Sequence, residues 1–321
     1  MDVRERDGIV IEAEDGTEFV CDSYSSQGDF NFVSHAHADH ALKQEFDGVV
    51  CSDLTEAIAS ARFDTSYSRA ETERIEMFPS GHILGSTAAL IDNSVLYTGD
   101  VSMRDRTYLD GFSPVDAEML VVETTYGSPF YTFPDQEVVE SEISQFLTER
   151  SGPFFLFGYS LGKAQKIQHI VNNTGEFEVV AHGAVHSMNQ VIERNTDLEF
   201  PSTAYQDYEG GWSENTVFIA PPRVSQADFV EELAESEGAV KAGFSGWAVS
   251  DKFKYRGGYD VVFPLSDHCD FDELVSLVKG VNPDEVYTTH GFAEEFARIL
   301  STDHGFDARA LKSNQSSLSD F

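Results

Sequence analysis

The stretch that decides this sequence is His35-Ala36-His37-Ala38-Asp39-His40, which directly follows the apolar run Phe30-Asn31-Phe32-Val33. Burying three imidazole rings and a carboxylate together costs free energy unless a ligand binds them, so a bare polar loop is disfavoured. Zinc accounts for these residue types, because neutral imidazole and carboxylate are among its preferred ligands. On extended chain, residues i and i+2 point the same way, so His35 and His37 can share one metal ion. Asp39 and His40, where the chain turns, can reach a second one.

Three further candidate ligands, His82, Asp100 and His290, each stand beside a glycine at the end of a predicted strand. Two zinc ions with three or four protein ligands each need about seven groups if one group is shared. We therefore predict His35, His37 and His82 for one zinc ion, Asp39, His40 and His290 for the other, and Asp100 as the bridge. Asp22 is not needed as a ligand and is predicted to orient the histidine loop.

The composition is that of a globular protein, with 41% hydrophobic and 12% aromatic residues, and its length suggests about two domains. The charge is unusual, since 56 acidic residues stand against 21 basic ones and the net charge is −35. The acidic residues are spread along the chain, which favours the solvated surface of a halophilic protein over a field that selects its partner. At near-molar salt the Debye length is about 3 Å, so this charge would not prevent the binding of a polyanion.

The cysteines indicate a reducing compartment. Cys21, Cys51 and Cys269 are odd in number and show no paired spacing. Cys269 lies beside His268, but a small buried thiol is favoured over a metal ligand there. The first residues lack an apolar signal core, and no apolar run approaches the roughly 18 residues of a membrane span. We expect a cytoplasmic protein without a membrane segment.

The pattern of strands and helices changes near residue 130. Residues 1–129 are rich in short strands, and the candidate ligands stand at strand ends. Between 130 and 258, strands and helices alternate, which predicts a separate α/β domain with a parallel sheet. Residues 259–321 return to strand–helix units that carry His268 and His290.

The motifs around the candidate ligands resemble those of a known superfamily. The histidine stretch, Ser-Gly-His82 and Tyr-Thr-Gly-Asp100 resemble successive motifs of the metallo-β-lactamase superfamily. The resemblance implies an αββα sandwich with a binuclear zinc site at the sheet edges. The long separation of Asp100 from His290 leaves room for an inserted domain, as in the β-CASP nucleases. Glu123, His268 and His290 match the additional motifs of that branch.

A closer resemblance, to the ligase-associated DNA exonucleases and the archaeal mRNA 3′-end processing factors, covers nearly the whole chain. Its motifs are Phe157-Gly-Tyr-Ser-Leu-Gly-Lys, His182-Gly-Ala-Val-His, Gly243-Phe-Ser-Gly-Trp, Leu265-Ser-Asp-His and Thr289-His-Gly-Phe. It implies a metallo-β-lactamase domain made of residues 1–129 and 259–321, with a β-CASP domain of residues 130–258 inserted into it. Partners in DNA repair, such as a ligase or a helicase, are a further implication.

The resemblance implies hydrolysis of phosphodiester bonds at two zinc ions, for which manganese is a possible substitute. Asp39 and Asp100 belong to the catalytic set because they hold the metal ions. His268, held by Glu123, is expected to protonate the departing 3′ oxygen as general acid. The product would then carry a 5′ phosphate.

The middle of the chain offers candidate contacts for single-stranded nucleic acid. Gly158 to Lys163 lacks the spacing of an ATP-binding phosphate loop, yet a glycine loop at a helix N-terminus can bind an anion. Positive islands occur at Lys163 and Lys166 and within 241–258; either they are chance gaps between acids or they line a groove for the phosphate backbone. The predicted contacts are Gly158, Tyr159, Ser160, Lys163, His182, Ser245, Trp247 and Ser266.

Several functions remain open on the sequence alone. A single-strand DNA exonuclease in repair is preferred, and an RNA endo- or exonuclease of the mRNA 3′-end processing type would use the same site. A small-ester hydrolase is disfavoured by the expected inserted domain and by His268. A metal-free scaffold is disfavoured by the full ligand set.

Overall fold

The computed structural model describes residues 1–25, 27–43, 47–106 and 108–311. The chain forms two compact units. Unit 1 comprises Met1–Thr132 and the segment that begins at His268, and unit 2 comprises Phe133–Asp267. Residues 312–321 of the expected segment 259–321 lie outside the described residues. The fold is mixed α/β, and each unit contains parallel strands.

The strands of the described residues are, in chain order, β1 (Asp2–Glu5), β2 (Ile9–Glu12), β3 (Glu18–Cys21), β4 (Phe30–Phe32), β5 (Val49–Val50), β6 (Ile75–Pro79), β7 (Thr87–Ile91), β8 (Val95–Tyr97), β9 (Met119–Glu123), β10 (Phe154–Phe157), β11 (Glu178–Ala181), β12 (Thr203–Ala204), β13 (Thr216–Ala220), β14 (Val240–Phe244), β15 (Val261–Phe263), β16 (Glu285–Thr289) and β17 (Asp307–Ala310). The helices are α1 (Asp53–Phe63), α2 (Gln136–Glu149), α3 (Lys163–Thr174), α4 (Gly183–Asn195), α5 (Asp228–Glu237), α6 (Asp251–Gly257), α7 (Phe271–Val281) and α8 (Ala293–Ile299).

Unit 1 contains two sheets. The first has the order β1-β2-β3-β4-β5, and the second has the order β17-β16-β9-β8-β7-β6. In the second sheet the pairings β8–β9, β9–β16 and β16–β17 are parallel, whereas the pairings β6–β7 and β7–β8 are antiparallel. The carboxyl ends of β8, β9 and β16 therefore meet at one edge, and the residues that follow these strands lie near one another.

Two hydrophobic clusters cover the faces of the second sheet. One cluster draws side chains from both sheets of unit 1, among them Phe19 and Phe32 from the first sheet and Tyr97 and Val121 from the second. The other cluster joins the opposite face of the second sheet to α7 and α8. β9 shows the alternation that this requires, since Val121 belongs to the first cluster and Leu120 and Val122 belong to the second.

Unit 2 is built around one six-stranded sheet of order β12-β11-β13-β10-β14-β15, in which every pairing is parallel. The central strand β10 is apolar throughout because both of its faces are covered. Phe154 and Leu156 pack with side chains of α2 and α3 on one face, and Phe155 and Phe157 pack with α5 on the other. The alternation of strand and helix in the sequence thus leads to the predicted parallel sheet.

Two local details differ from the sequence-based expectations. The sequence suggests Asp53 or Thr55 as the cap of α1, but Ser52 is the N-cap, and its hydroxyl accepts a hydrogen bond from the backbone N–H of Thr55 at 3.1 Å. The parallel sheet of unit 2 also extends beyond residue 258, because β15 pairs with β14.

The three cysteines are free and buried, as the sequence predicts for Cys269. Among the described residues, no helix combines the length and the apolar character needed to cross a membrane.

The central strand of unit 2 allows a test of this packing. We expect Leu156→Ala to lower the free energy of unfolding of unit 2 by about 2–5 kcal/mol, because Leu156 is fully buried between the sheet and its helices. Val138, on the exposed side of α2, provides the control, and Val138→Ala should change stability by no more than about 0.5 kcal/mol. Urea unfolding of both variants measures the difference, and equal losses would contradict the assigned core.

Candidate metal centre

The candidate ligands lie on loops that leave strands of unit 1. His35, His37 and His40 follow β4, Asp100 follows β8, and His290 follows β16. His82 lies on the loop between β6 and β7, where Gly81 has φ of +70° and a Cβ atom would approach the carbonyl oxygen of Ser102 to 2.2 Å. This backbone position requires glycine.

Four side chains bring their ligand atoms to one point. The Nδ1 atom of His37 lies 3.1 Å from Nε2 of His35 and 3.2 Å from Nε2 of His82. The Oδ2 atom of Asp100 lies 3.4 Å from Nε2 of His35 and 3.5 Å from Nε2 of His82. A tetrahedral zinc ion with bonds of about 2.0–2.1 Å separates its ligand atoms by roughly 3.3–3.4 Å. The residues therefore fit a metal ion, in ligand type and in spacing.

Asp22 holds this cluster from behind. Its carboxylate accepts hydrogen bonds from the backbone N–H of Ser34 at 2.7 Å and from the Ser34 hydroxyl at 2.5 Å. It also lies 2.8 Å from Nδ1 of His40 and accepts a hydrogen bond of 2.8 Å from the Tyr97 hydroxyl. Because the Ser34 hydroxyl donates to Asp22, it accepts from Nδ1 of His35 at 2.9 Å. Nε2 of His35 and of His40 then carry the lone pairs that a metal ion needs.

The second predicted ligand group is less compact than the first. His40 is buried, its Nε2 atom lies 3.5 Å from Oδ1 of Asp100, and its ring centroid lies 5.9 Å from that of His290. Asp39 and His290 are exposed. The described residues contain three compact groups of potential ligands, and none of them includes Asp39 or His290.

The charges around the ligand cluster favour the binding of a cation. Burial lowers the pKa of His40, but the carboxylates of Asp100, Asp22 and Asp39 outweigh this effect and raise it to about 10. Burial and the neighbouring histidines lower the pKa of His35, so His35 is neutral and can act as a ligand. Several carboxylates thus surround these imidazoles and attract a cation, and a metal ion at Nε2 of His40 would take the place of the proton that the carboxylates otherwise favour there.

A second pair of ionisable groups lies beside the cluster. Nδ1 of His268 lies 3.0 Å from Oε1 of Glu123, which is buried at the end of β9. Burial raises the pKa of Glu123, but His268 and the backbone N–H of Thr125 outweigh that effect and lower it. The ring centroid of His268 lies 4.6 Å from that of His82. Glu123 therefore orients His268 beside the ligand cluster.

The predicted nucleic-acid contacts follow the carboxyl ends of strands in unit 2, where ligands of parallel α/β sheets bind. Tyr159 and Trp247 are exposed, whereas the side chains of Ser245 and Ser266 are buried. The predicted contacts leave the sheet after β10 (Gly158, Tyr159, Ser160 and Lys163), after β11 (His182), after β14 (Ser245 and Trp247) and after β15 (Ser266).

The lysines of the positive islands are mostly not at the surface. Lys163 is buried, and its ammonium group donates to the carbonyl oxygen of Leu265 at 2.6 Å and lies 2.9 Å from Oδ2 of Asp267. Lys166 is buried and donates to the carbonyl oxygen of Ser266 at 2.8 Å. Lys241 is buried and paired with Glu231 at 2.6 Å. These three ammonium groups lie inside unit 2, and Lys163 is not presented to solvent as the predicted contact requires. Lys252 and Arg256 of the second island are exposed.

Sequence reasoning missed four residues around the two sites. Ser34 and Tyr97 share the carboxylate of Asp22, and Arg106 donates to the carbonyl oxygens of Gly81 and His82. Arg223 is exposed after β13 and, together with the larger effect of burial, lowers the pKa of His182. Tyr97 could have been found because it begins the Tyr-Thr-Gly-Asp motif. Arg223 could have been found because it follows two prolines directly after a buried strand.

No protein-family model matches the chain. Over 299 residues it is 34% identical to a probable DNA ligase of Opitutus terrae, a match that covers 88% of this chain and 28% of the ligase. Over 372 residues it is 23% identical to the probable RNase MJ4 of Methanocaldococcus jannaschii, a match that covers 86% of this chain and 85% of the RNase. The chain therefore spans less than a third of the first relative and most of the second.

A solved structure shares the fold. The crystal structure of a protein of unknown function from Enterococcus faecalis V583 superposes with a TM-score of 0.64 at 12% identity, covering 92% of this chain and 94% of that one. The sequence relatives agree with the resemblance carried by the histidine stretch, Ser-Gly-His82, Tyr-Thr-Gly-Asp100 and the motifs of unit 2. The chain belongs to the β-CASP branch of the metallo-β-lactamase superfamily.

Proposed function

We propose that this protein is a metal-dependent nuclease that hydrolyses phosphodiester bonds of single-stranded nucleic acid. The observation that carries the proposal is the convergence of His35, His37, His82 and Asp100 on one point, with the Glu123–His268 pair beside it. A ligand cluster alone suits many hydrolases. The adjacent imidazole, oriented by a buried carboxylate, supplies the proton donor that an alkoxide leaving group needs.

The ligands are proposed to hold two zinc ions, with manganese as a possible substitute. His35, His37 and His82 would bind one ion, Asp39, His40 and His290 the other, and Asp100 both. When bound, such ions lower the pKa of water and neutralise developing charge on phosphoryl oxygens. Asp22 fixes the orientation of His40 and, through Ser34, that of His35. The architecture we propose is an αββα sandwich formed by unit 1, with unit 2 as the inserted β-CASP domain.

His268 is proposed to act as the general acid. Its Nδ1 atom faces Glu123, so a proton on Nε2 can pass to the departing 3′ oxygen, leaving a 5′ phosphate on the product. Glu123 accepts the hydrogen bond from Nδ1 and stabilises the charged ring before transfer. The pair is kept in place because Glu123 also accepts from the backbone N–H of Thr125 at 2.8 Å.

The carboxyl edge of the sheet in unit 2 is proposed to bind the strand. β10 and β13 are neighbours, and the helices that follow them, α3 and α5, pack on opposite faces of the sheet. In such sheets, ligands bind at the point where the order of successive strands reverses, and here that point lies between β10 and β13. His182 and the exposed Arg223 lie at this edge, and Tyr159 and Trp247 offer aromatic faces for stacking.

The favoured substrate is single-stranded DNA, degraded as an exonuclease in repair, with a ligase or a helicase as possible partner. The relative named as a probable DNA ligase favours this choice, and the relative named as a probable RNase favours the RNA alternative. The His268–Glu123 pair and unit 2 argue against a small-ester hydrolase, and the converging ligands argue against a metal-free scaffold.

The substrate and the direction of cleavage can be tested together. The protein is incubated at molar salt with zinc or manganese and with single-stranded DNA or RNA labelled at the 5′ or the 3′ end. We expect mononucleotides to be released from one labelled end of DNA. If internal fragments of RNA are released instead, the RNA alternative takes the place of the DNA exonuclease proposal. The absence of cleavage of any strand would overturn the proposed function.

Metal content provides a test that does not depend on activity. We expect metal-depleted protein to take up about two zinc ions per chain, and His82→Ala to lose at least one of them. His304 lies away from the ligand cluster, so His304→Ala is the matched control and should keep the wild-type content. Elemental analysis after dialysis gives the stoichiometry. Unchanged zinc in the His82 variant would contradict the ligand assignment.

The role of His268 predicts a dependence on the leaving group. We expect His268→Ala to slow cleavage of an oligonucleotide by about 10²–10⁴-fold, because the 3′ alkoxide then leaves without a proton. Thymidine 5′-(p-nitrophenyl phosphate) has a leaving group that needs no protonation, so the same variant should cleave it at nearly the wild-type rate. Asp100→Asn should lose activity on both substrates. An equal loss on both substrates in the His268 variant would exclude the general-acid role.

A further inference from the structure

Aromatic residues of unit 1 form a continuous series of ring contacts that begins at His268. The ring centroids of His268 and Tyr126 lie 5.9 Å apart, and those of Tyr126 and Tyr131 lie 5.4 Å apart. Tyr131 in turn contacts Phe292 at 5.4 Å and Phe130 at 5.1 Å. We call Phe130, Tyr131 and Phe292 the aromatic platform. It was not among the residues expected from the sequence.

The backbone that carries the platform is held rigidly. Thr124 accepts through its carbonyl oxygen from the backbone N–H groups of Gly127 and Phe292, and its hydroxyl donates to the carbonyl oxygen of His290 at 2.6 Å. Gly291 has φ of +54°, and a Cβ atom there would lie 2.3 Å from the carbonyl oxygen of Thr124. The loops after β9 and β16 are therefore locked together, and binding to them requires little further ordering.

One ring of the platform is left largely in solvent. Phe130 is 63% exposed, although its ring meets that of Tyr131 nearly at right angles, at 87°. This contact places the ring against Tyr131 while most of its surface remains accessible. A large exposed ring on a rigid loop suits the binding of a flat apolar surface.

The acidic composition of this protein favours binding of the substrate through aromatic side chains. The chain carries 56 acidic and 21 basic residues, and Lys163, Lys166 and Lys241 are buried in unit 2. Part of the positive charge of unit 2 is therefore turned inward, and at high salt the contacts of exposed cations with phosphates weaken steeply. Stacking of a base on an aromatic ring needs no counter-charge and contributes substantially to the binding of single strands.

We propose that the aromatic platform is a nucleobase-binding subsite, in which an unpaired base of the substrate stacks on Phe130 while Tyr131 and Phe292 support it. This inference rests on the proposed nuclease function and refines its substrate class. A base that is paired within a duplex cannot reach the ring, so the subsite selects single strands. Every base has a flat face, so the subsite tolerates any sequence.

The subsite is tested by comparing an ordinary single-stranded DNA with one of equal length that lacks its bases. We expect Phe130→Ala to raise KM for the ordinary strand about tenfold, with kcat nearly unchanged, and to leave KM for the abasic strand as in the wild type. Phe130→Trp should restore the ordinary KM. Phe177 is a half-buried aromatic residue that precedes β11, at the opposite edge of the sheet of unit 2 from the proposed strand-binding edge, and Phe177→Ala should behave as the wild type on both strands.

Each outcome has a distinct meaning. If Phe130→Ala changes neither strand, or changes both equally, the subsite is overturned while the nuclease function stands. Binding of a fluorescent single strand, followed by anisotropy between moderate and molar salt, gives a readout that needs no cleavage. A tenfold loss of affinity in Phe130→Ala that is independent of salt supports the subsite. If the wild type binds and cleaves neither strand, the proposed function fails, and the subsite fails with it.

Discussion

The carboxylate of Asp22 is the interaction on which the ligand cluster depends. Asp22 is buried, and its backbone has φ of 48°, a conformation that a non-glycine residue adopts only at some cost. It follows β3 of the first sheet and accepts a hydrogen bond from Tyr97 of β8 in the second. One carboxylate thus connects both sheets of unit 1 to Ser34 and His40. The conformation of the histidine loop therefore depends on Asp22, which lies outside that loop, after the preceding strand β3.

Much of this architecture is readable from local sequence. The alternation of strands and helices predicts the parallel sheet of unit 2, because buried parallel strands such as β10 are apolar throughout. The placement of His82 and Asp100 beside glycines predicts that they meet at a sheet edge, and their ligand atoms lie 3.5 Å apart. These features depend on the hydrophobic periodicity and on the residues at strand ends, both of which can be read directly from the sequence.

Other features depend on partners that are distant in sequence. Positive residues in an acidic chain suggested a phosphate groove, yet Lys163 and Lys166 lie against Asp267, about a hundred positions away. Charge counting along a segment cannot detect such a partner. The aromatic platform was missed for the same reason, since Tyr131 and Phe292 meet only because β9 and β16 are neighbours. The cap of α1 was predicted wrongly because Ser52, Asp53 and Thr55 are all suitable cap types.

The pairing of β9 with β16 also has a consequence for biosynthesis. β9 lies between β8 and β16, so while the ribosome is still making unit 2 this apolar strand has one open edge. Unit 2 has its own core and can fold during that interval. His268, β16 and His290 emerge after unit 2, so these two histidines can join the side chains of the earlier part of unit 1 only then. Under the proposed function, the nascent chain therefore acquires its general acid only after unit 2 has been synthesised.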